Sequence, residues 1–138
     1  MAERKTLPSQ ASVKDFIASV KNEKRRGDAA IVASMMAKAS GKRAKMWGTS
    51  IVGFGTHHYQ HANGEEVSIC KIGFSPRAKA LTFYLGNSPE RATLLKKLGK
   101  YKMSDGGCLY INKLEDVDTD VLFQMMKVAY HTSQNGSC

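Results

Sequence analysis

The residues best suited to chemistry lie in the segment Gly73-Phe74-Ser75-Pro76-Arg77-Ala78-Lys79. Arg77 offers a planar fork that suits a carboxylate or a phosphate, and Lys79 a mobile point charge. Both fall in a loop between two predicted strands, close to a strand end and beside exposed backbone. Trp47 and Tyr59 can supply a flat wall for a planar or apolar ligand. The reading is therefore a cleft lined by Trp47, Ser50, Tyr59, Phe74, Arg77 and Lys79, which takes a small anionic or planar ligand. The plainer alternative places Trp47 and Phe74 in the core and packs Arg77 over an aromatic ring at the surface.

Other reactive side chains lead to less. His57, His58 and His61 would meet at one ion on a helix, but the segment reads as extended. At the usual rise His57 and His61 then stand about 13 Å apart, with no carboxylate or cysteine at ligand spacing nearby, so no metal site is expected there. Cys70 and Cys108 sit in apolar strand patterns and behave as small hydrophobes. Nothing in the sequence pairs either thiol with a histidine base. The cysteines number three, odd and without short spacing, and read as reduced thiols of a cytoplasmic protein. Gly53-Phe54-Gly55 lacks the third glycine and the following helix of a dinucleotide fingerprint, so its glycines serve close backbone approach or a bulge. No P-loop, nucleophile elbow or zinc-protease motif occurs. A non-enzymatic binding role without a cofactor follows.

The balance of charge bounds the partners. The 138 residues carry 21 Lys and Arg against 12 Asp and Glu, a net charge of +9. That excludes an acidic ion buffer and admits anionic partners. Lys24-Arg25-Arg26 and Lys42-Arg43-Ala44-Lys45 keep nucleic-acid binding as a third reading, although no recognition helix or aromatic stacking strand is evident. Acidic residues gather at Glu115, Asp116, Asp118 and Asp120, where they load the positive start of the last helix. No run of 18 apolar residues predicts a membrane span, and the first 30 residues hold no apolar run of the kind a secretion signal needs.

The elements that must position these groups follow from periodicity and punctuation. Residues 1–11 and 132–138 read as flexible ends around one domain over 12–131. Ser12 caps a helix in which Val13, Phe16, Ile17 and Val20 make one stripe, ending at Arg25-Arg26-Gly27. Asp28 caps a second helix with Ile31, Val32, Met35 and Ala39 inward, and Gly41 ends it. From Ser50 the chain is extended as far as the Asn63-Gly64 hairpin signal. Val67 to Phe74 returns, and Leu81, Phe83 and Leu85 alternate in a third strand. Ser88-Pro89 starts a helix with Leu94, Leu95 and Leu98 inward. A turn at Asp105-Gly106-Gly107 leads to a short strand, Cys108 to Ile111. Asp118 opens the last helix, with Val121, Leu122, Met125, Val128 and Ala129 inward. The fold class is α+β: one compact domain with an antiparallel sheet of about four or five strands and helices on one face. Its expected core includes Phe16, Ile17, Leu81, Phe83, Leu94, Leu98, Leu109, Ile111 and Met125.

Several motifs in fixed order carry a family resemblance. Met46-Trp47-Gly48-Thr49-Ser50-Ile51-Val52-Gly53-Phe54-Gly55, Gly73-Phe74-Ser75-Pro76-Arg77, Leu98-Gly99-Lys100-Tyr101-Lys102, Cys108-Leu109-Tyr110-Ile111 and Asp116-Val117-Asp118 resemble the YdhG-like family of small bacterial proteins of unknown function. The likeness runs from about Ser12 to His131. It implies a compact α+β fold with an antiparallel sheet, and no established reaction. More distant relatives in bacilli are frataxin-like iron chaperones, which hold iron on surface carboxylates. The first helix here is basic where such a ridge would be acidic. Only Glu115, Asp116, Asp118 and Asp120 could stand in, so an iron-donor role is the second reading.

Overall fold

A computed structural model describes residues 8–9, 12–47, 50–60, 62–64, 66–85, 89–103 and 108–132, with backbone alone for 8–9, 57–60, 66–69, 89 and 132. The sheet order is β1 (Pro8–Ser9), β2 (Lys45–Trp47), β3 (Ile51–Phe54), β6 (Ile72–Pro76), β7 (Leu81–Tyr84), β9 (Leu109–Ile111) and β8 (Lys102–Met103), and every neighbouring pair is antiparallel. A separate hairpin joins β4 (His57–Gln60) to β5 (Glu66–Ile69). The helices are α1 (Val13–Ala18), α2 (Glu23–Ser40), α3 (Pro89–Leu98) and α4 (Thr119–Thr132). The class is α+β, as the patterns require. No helix among the described residues is long and apolar enough to cross a membrane.

Register explains why the helices take one face. Val52 pairs Phe74, Phe74 pairs Phe83, and Phe83 pairs Leu109. Directly paired residues project from the same face, so these four form one row, with Phe54, Ile72, Leu81 and Ile111 on the same side. That side meets Val32 and Met36 of α2, and Leu122 and Met126 of α4, all 0 % exposed, in one apolar core. Leu98, Leu109, Ile111 and Met125 are buried as expected, whereas Phe16, Ile17 and Leu94 are half-buried at its margin.

The strand count is higher than the expected four or five. Strands β1, β2 and β8 have two or three residues each, too few to display a period. The run from Ser50 divides at Gly55-Thr56 into β3 and β4, and the returning run divides at Cys70-Lys71 into β5 and β6. The Asn63-Gly64 turn therefore closes the separate hairpin and not the main sheet. Pro8 and Ser9, expected in a loose arm, pair with Trp47 and Met46.

The first two helices also divide differently. Ser12 does cap α1, its hydroxyl accepting the Asp15 N–H at 3.1 Å, but α1 ends at Ala18. Asn22 caps α2 by accepting the Arg25 N–H at 2.9 Å. Gly27 and Asp28, expected as stop and cap, lie inside α2. The cap that forms lies six residues earlier, at Asn22, and Asp28 is held in the interior by Lys24 one turn back and by the remote Leu114 N–H. At the other end Asp118 Oδ1 accepts from Asp120 N and Val121 N at 2.9 and 3.3 Å, which caps α4. The expected cap at Ser88, the turn at 105–107 and residues 133–138 lie outside the described residues.

Candidate functional site

The face of the sheet away from the helices is not a plain solvent face. Ser75 pairs Thr82, Thr82 pairs Tyr110, and Tyr110 pairs Lys102, so these four share that face. Trp47 and Ile51 pair on the same side two strands away, and Gly53, Gly73 and Tyr84 complete it. Trp47, Ile51, Cys70 and Tyr84 form a second, smaller apolar cluster with Cys108 packed against it. Its centre is a patch of bare backbone. A Cβ placed on Gly53 would lie 2.5 Å from Trp47 Cδ1 and 2.6 Å from the Cys70 Cβ. The indole and Cys70 therefore rest directly on the strand, the close approach that the glycine pattern implied. Trp47 Nε1 and Ser75 Oγ are both buried here without a hydrogen-bond partner among the described residues. Cys70 is 0 % exposed in this cluster and Cys108 is half-buried beside it.

Towards the β6–β7 end this face opens into a groove of about 410 Å³. One wall is the loop that follows β6, with Lys79 and Ala80; a second is Lys100, Tyr101 and Lys102; a third is Asn112 and Asp116, with Tyr110 of β9 completing the lining. Three lysines and one aspartate thus contribute to its lining. One backbone bond closes the first wall on itself, Arg77 N donating to the Ala80 carbonyl at 3.1 Å, and another ties the second wall to the third, Lys100 N donating to the Asp116 carbonyl at 3.0 Å. Gly99, at φ +118°, begins the second wall with its backbone close against the third, since a Cβ there would sit 2.6 Å from the Asp116 carbonyl oxygen. No other residue type takes that φ without strain.

Behind the groove, the first turns of α2 carry a polar cluster. Lys24 Nζ bonds Asp28 Oδ1 at 2.9 Å and also meets Glu115. Asp28, 2 % exposed, accepts the Leu114 N–H at 3.2 Å with its other oxygen. Hydrogen bonds from Lys24 to Glu115 first and Asp28 second hold its ammonium above the ordinary pKa of 10.5. A raised folded-state pKa stabilises fully below the ordinary value and fades as pH rises through the folded one. The melting-temperature difference between the wild type and Lys24→Met should therefore stay constant across neutral pH and shrink above about pH 10. A difference that grew on the alkaline side would contradict the assignment.

Of the six residues expected to form one cleft, the five whose side chains are described do not line one opening. Lys79 lines the groove, and Trp47 lies in the smaller cluster at 1 % exposure. Ser50 is half-buried just before β3. Arg77 is exposed and its guanidinium donates to the Tyr84 hydroxyl at 3.1 Å. Phe74 is the correction: it is 0 % exposed in the helix-side core, because alternation along β6 sends it opposite to Gly73 and Ser75. The side chains of Tyr59, His57 and His58, and the whole of His61, lie outside the described residues. Lys100, Tyr101, Lys102, Tyr110 and Asn112 were not singled out as site residues. Their one signal was the basic–aromatic alternation Lys100-Tyr101-Lys102, which stands far in sequence from Lys79.

The chain matches no family model, no curated protein and no solved structure. The resemblance to the YdhG-like family thus rests on the motifs alone.

Proposed function

We propose that this chain, in keeping with its YdhG-like motifs, is a non-enzymatic module that binds a small anion bearing a planar group in the groove beside Lys79. The observation that carries the reading is three lysines and two tyrosines around one opening with a single carboxylate. The volume of about 410 Å³ falls in the range of small-molecule sites, roughly 300–1,000 Å³. Lysine ammonium groups are compact donors that suit a phosphate from any direction, and the tyrosines supply flat apolar surface.

Adenosine 5′-monophosphate joins both features and is a suitable probe for calorimetry. It should bind more tightly than either adenosine or inorganic phosphate. The double variant Lys79→Ala/Lys102→Ala should weaken it about tenfold, two exposed charge contacts being worth up to about 1 kcal/mol each. The loss should be largest at low ionic strength, where screening is weakest. Unchanged affinity in the double variant would remove the groove from the reading.

The alternatives have less support. For iron, Glu115 is engaged by Lys24 and Asp118 caps α4, and the described residues hold no group of three ligating side chains. For nucleic acid, the Lys24-Arg25-Arg26 stretch is already engaged in part, Lys24 with Asp28 and Glu115, Arg25 with loop carbonyls and Arg26 with the Val20 carbonyl at 2.8 Å, whereas Lys42, Arg43 and Lys45 are exposed.

A further inference from the structure

We infer that Arg25 is a positioning residue for the groove, setting from inside the fold the spacing of two of its walls. The inference rests on the groove reading above. Arg25 is the third residue of α2 and is 8 % exposed. Its Nη1 donates to the carbonyls of Arg77 and Ala78 at 2.6 and 2.9 Å. Its Nη2 donates to the carbonyl and to the side-chain Oδ1 of Asn112, both at 3.2 Å. One nitrogen therefore serves the loop that presents Lys79, and the other serves the segment that presents Asn112 and Asp116. The guanidinium is rigid and planar, so the separation of its nitrogens transmits directly to the separation of the two walls.

Two features distinguish this from an ordinary buried anchor. None of the four acceptors belongs to a strand or helix, so the bonds add nothing to the pairing of the sheet and act only on the loops. All four acceptors are also neutral, so the geometry comes from directed hydrogen bonds and not from an ion pair that a different cation could replace. Asp28, one turn further along α2, adds a third tie to the same segment through the Leu114 N–H. The sequence places these partners 52, 53 and 87 residues from Arg25.

The test compares Arg25→Lys and Arg25→Gln with the wild type by hydrogen–deuterium exchange and by calorimetry with adenosine 5′-monophosphate. Lysine keeps the charge and the stem, but its one nitrogen cannot hold both walls. Exchange should quicken at 77–80 and 112–116 in both variants while the amides of β3, β6 and β7 keep their protection. Affinity should fall about tenfold to a hundredfold in both, the scale of losing a directed hydrogen bond to a charged group. Wild-type affinity in Arg25→Lys would overturn the inference, since charge alone would then suffice. Unchanged loop exchange, or exchange that quickens equally throughout the folded Arg25→Lys variant, would also overturn it. If Arg25→Gln does not fold, Arg25→Lys decides by the same readings. Should the wild type bind no probe, the groove reading fails, and the exchange pattern still reports whether Arg25 holds the two loops.

Discussion

Replacing Phe83 by alanine is expected to lower stability by about 3–5 kcal/mol, the usual cost of deleting a core aromatic. Phe83 is 0 % exposed, pairs with Phe74 and Leu109 across the sheet, and stands 6.4 Å from the Phe74 ring centroid at a 31° tilt. The site cannot collapse easily. Its row is capped by α2 and α4, and Thr82 and Tyr84, which flank it on β7, are themselves 3 % and 9 % exposed on the other face. A cavity sealed from both sides keeps its full volume and its full cost. Small domains are held by roughly 5–15 kcal/mol, so the variant would lose a large share of its stability. Denaturant titration should show the midpoint falling with little change in slope. A melting temperature within a degree or two of the parent would show that β7 presents the other phase to the helices.

The second large effect is expected from adding one methyl group at Gly53. The new Cβ would lie 2.5 Å from Trp47 Cδ1, 2.7 Å from Trp47 Nε1 and 2.6 Å from the Cys70 Cβ. None of these can move aside cheaply, since Trp47 is 1 % exposed and Cys70 0 %. The strand cannot retreat either, because Gly53 pairs with Lys45 on one side and Gly73 on the other, and the opposite face is filled by the main core. Gly53→Ala should therefore cost about 1–3 kcal/mol by overpacking. Tryptophan fluorescence offers a direct check, because Trp47 is the one tryptophan of the chain. If the indole is displaced from the bare strand, its emission should shift to the red. A stable variant with unchanged emission would mean that the indole does not rest on Gly53.

Much of the fold was legible along the chain because it depends on local periods. Leu81 and Phe83 alternate, Ser12 and Asp118 cap, and Pro89 opens α3, each within a few residues. The same local reasoning misplaced Asp28. A buried carboxylate inside a helix and a helix cap look alike until the Leu114 N–H and Lys24 are brought beside it. The far face of β7 was not legible either: Thr82 and Tyr84 belong to the polar phase yet are 3 % and 9 % exposed, Tyr84 as part of the smaller cluster with Trp47.

What the sequence by itself determined is where most of the helices and the longer strands lie and which phase of β7, β9 and α4 faces the core, since burying an apolar period of 2 or 3.6 leaves few choices. It also determined that this is a basic chain with cationic and aromatic residues placed near turns. Which of those residues meet was decided only by tertiary structure. Lys79, Lys102 and Asp116 line one opening because β7, β9 and β8 pair in an order that no local pattern states, and because one guanidinium on α2 ties two distant loops. Phe74 left the expected cleft for a local reason instead: alternation along β6 turns it to the helix side, opposite to Gly73 and Ser75.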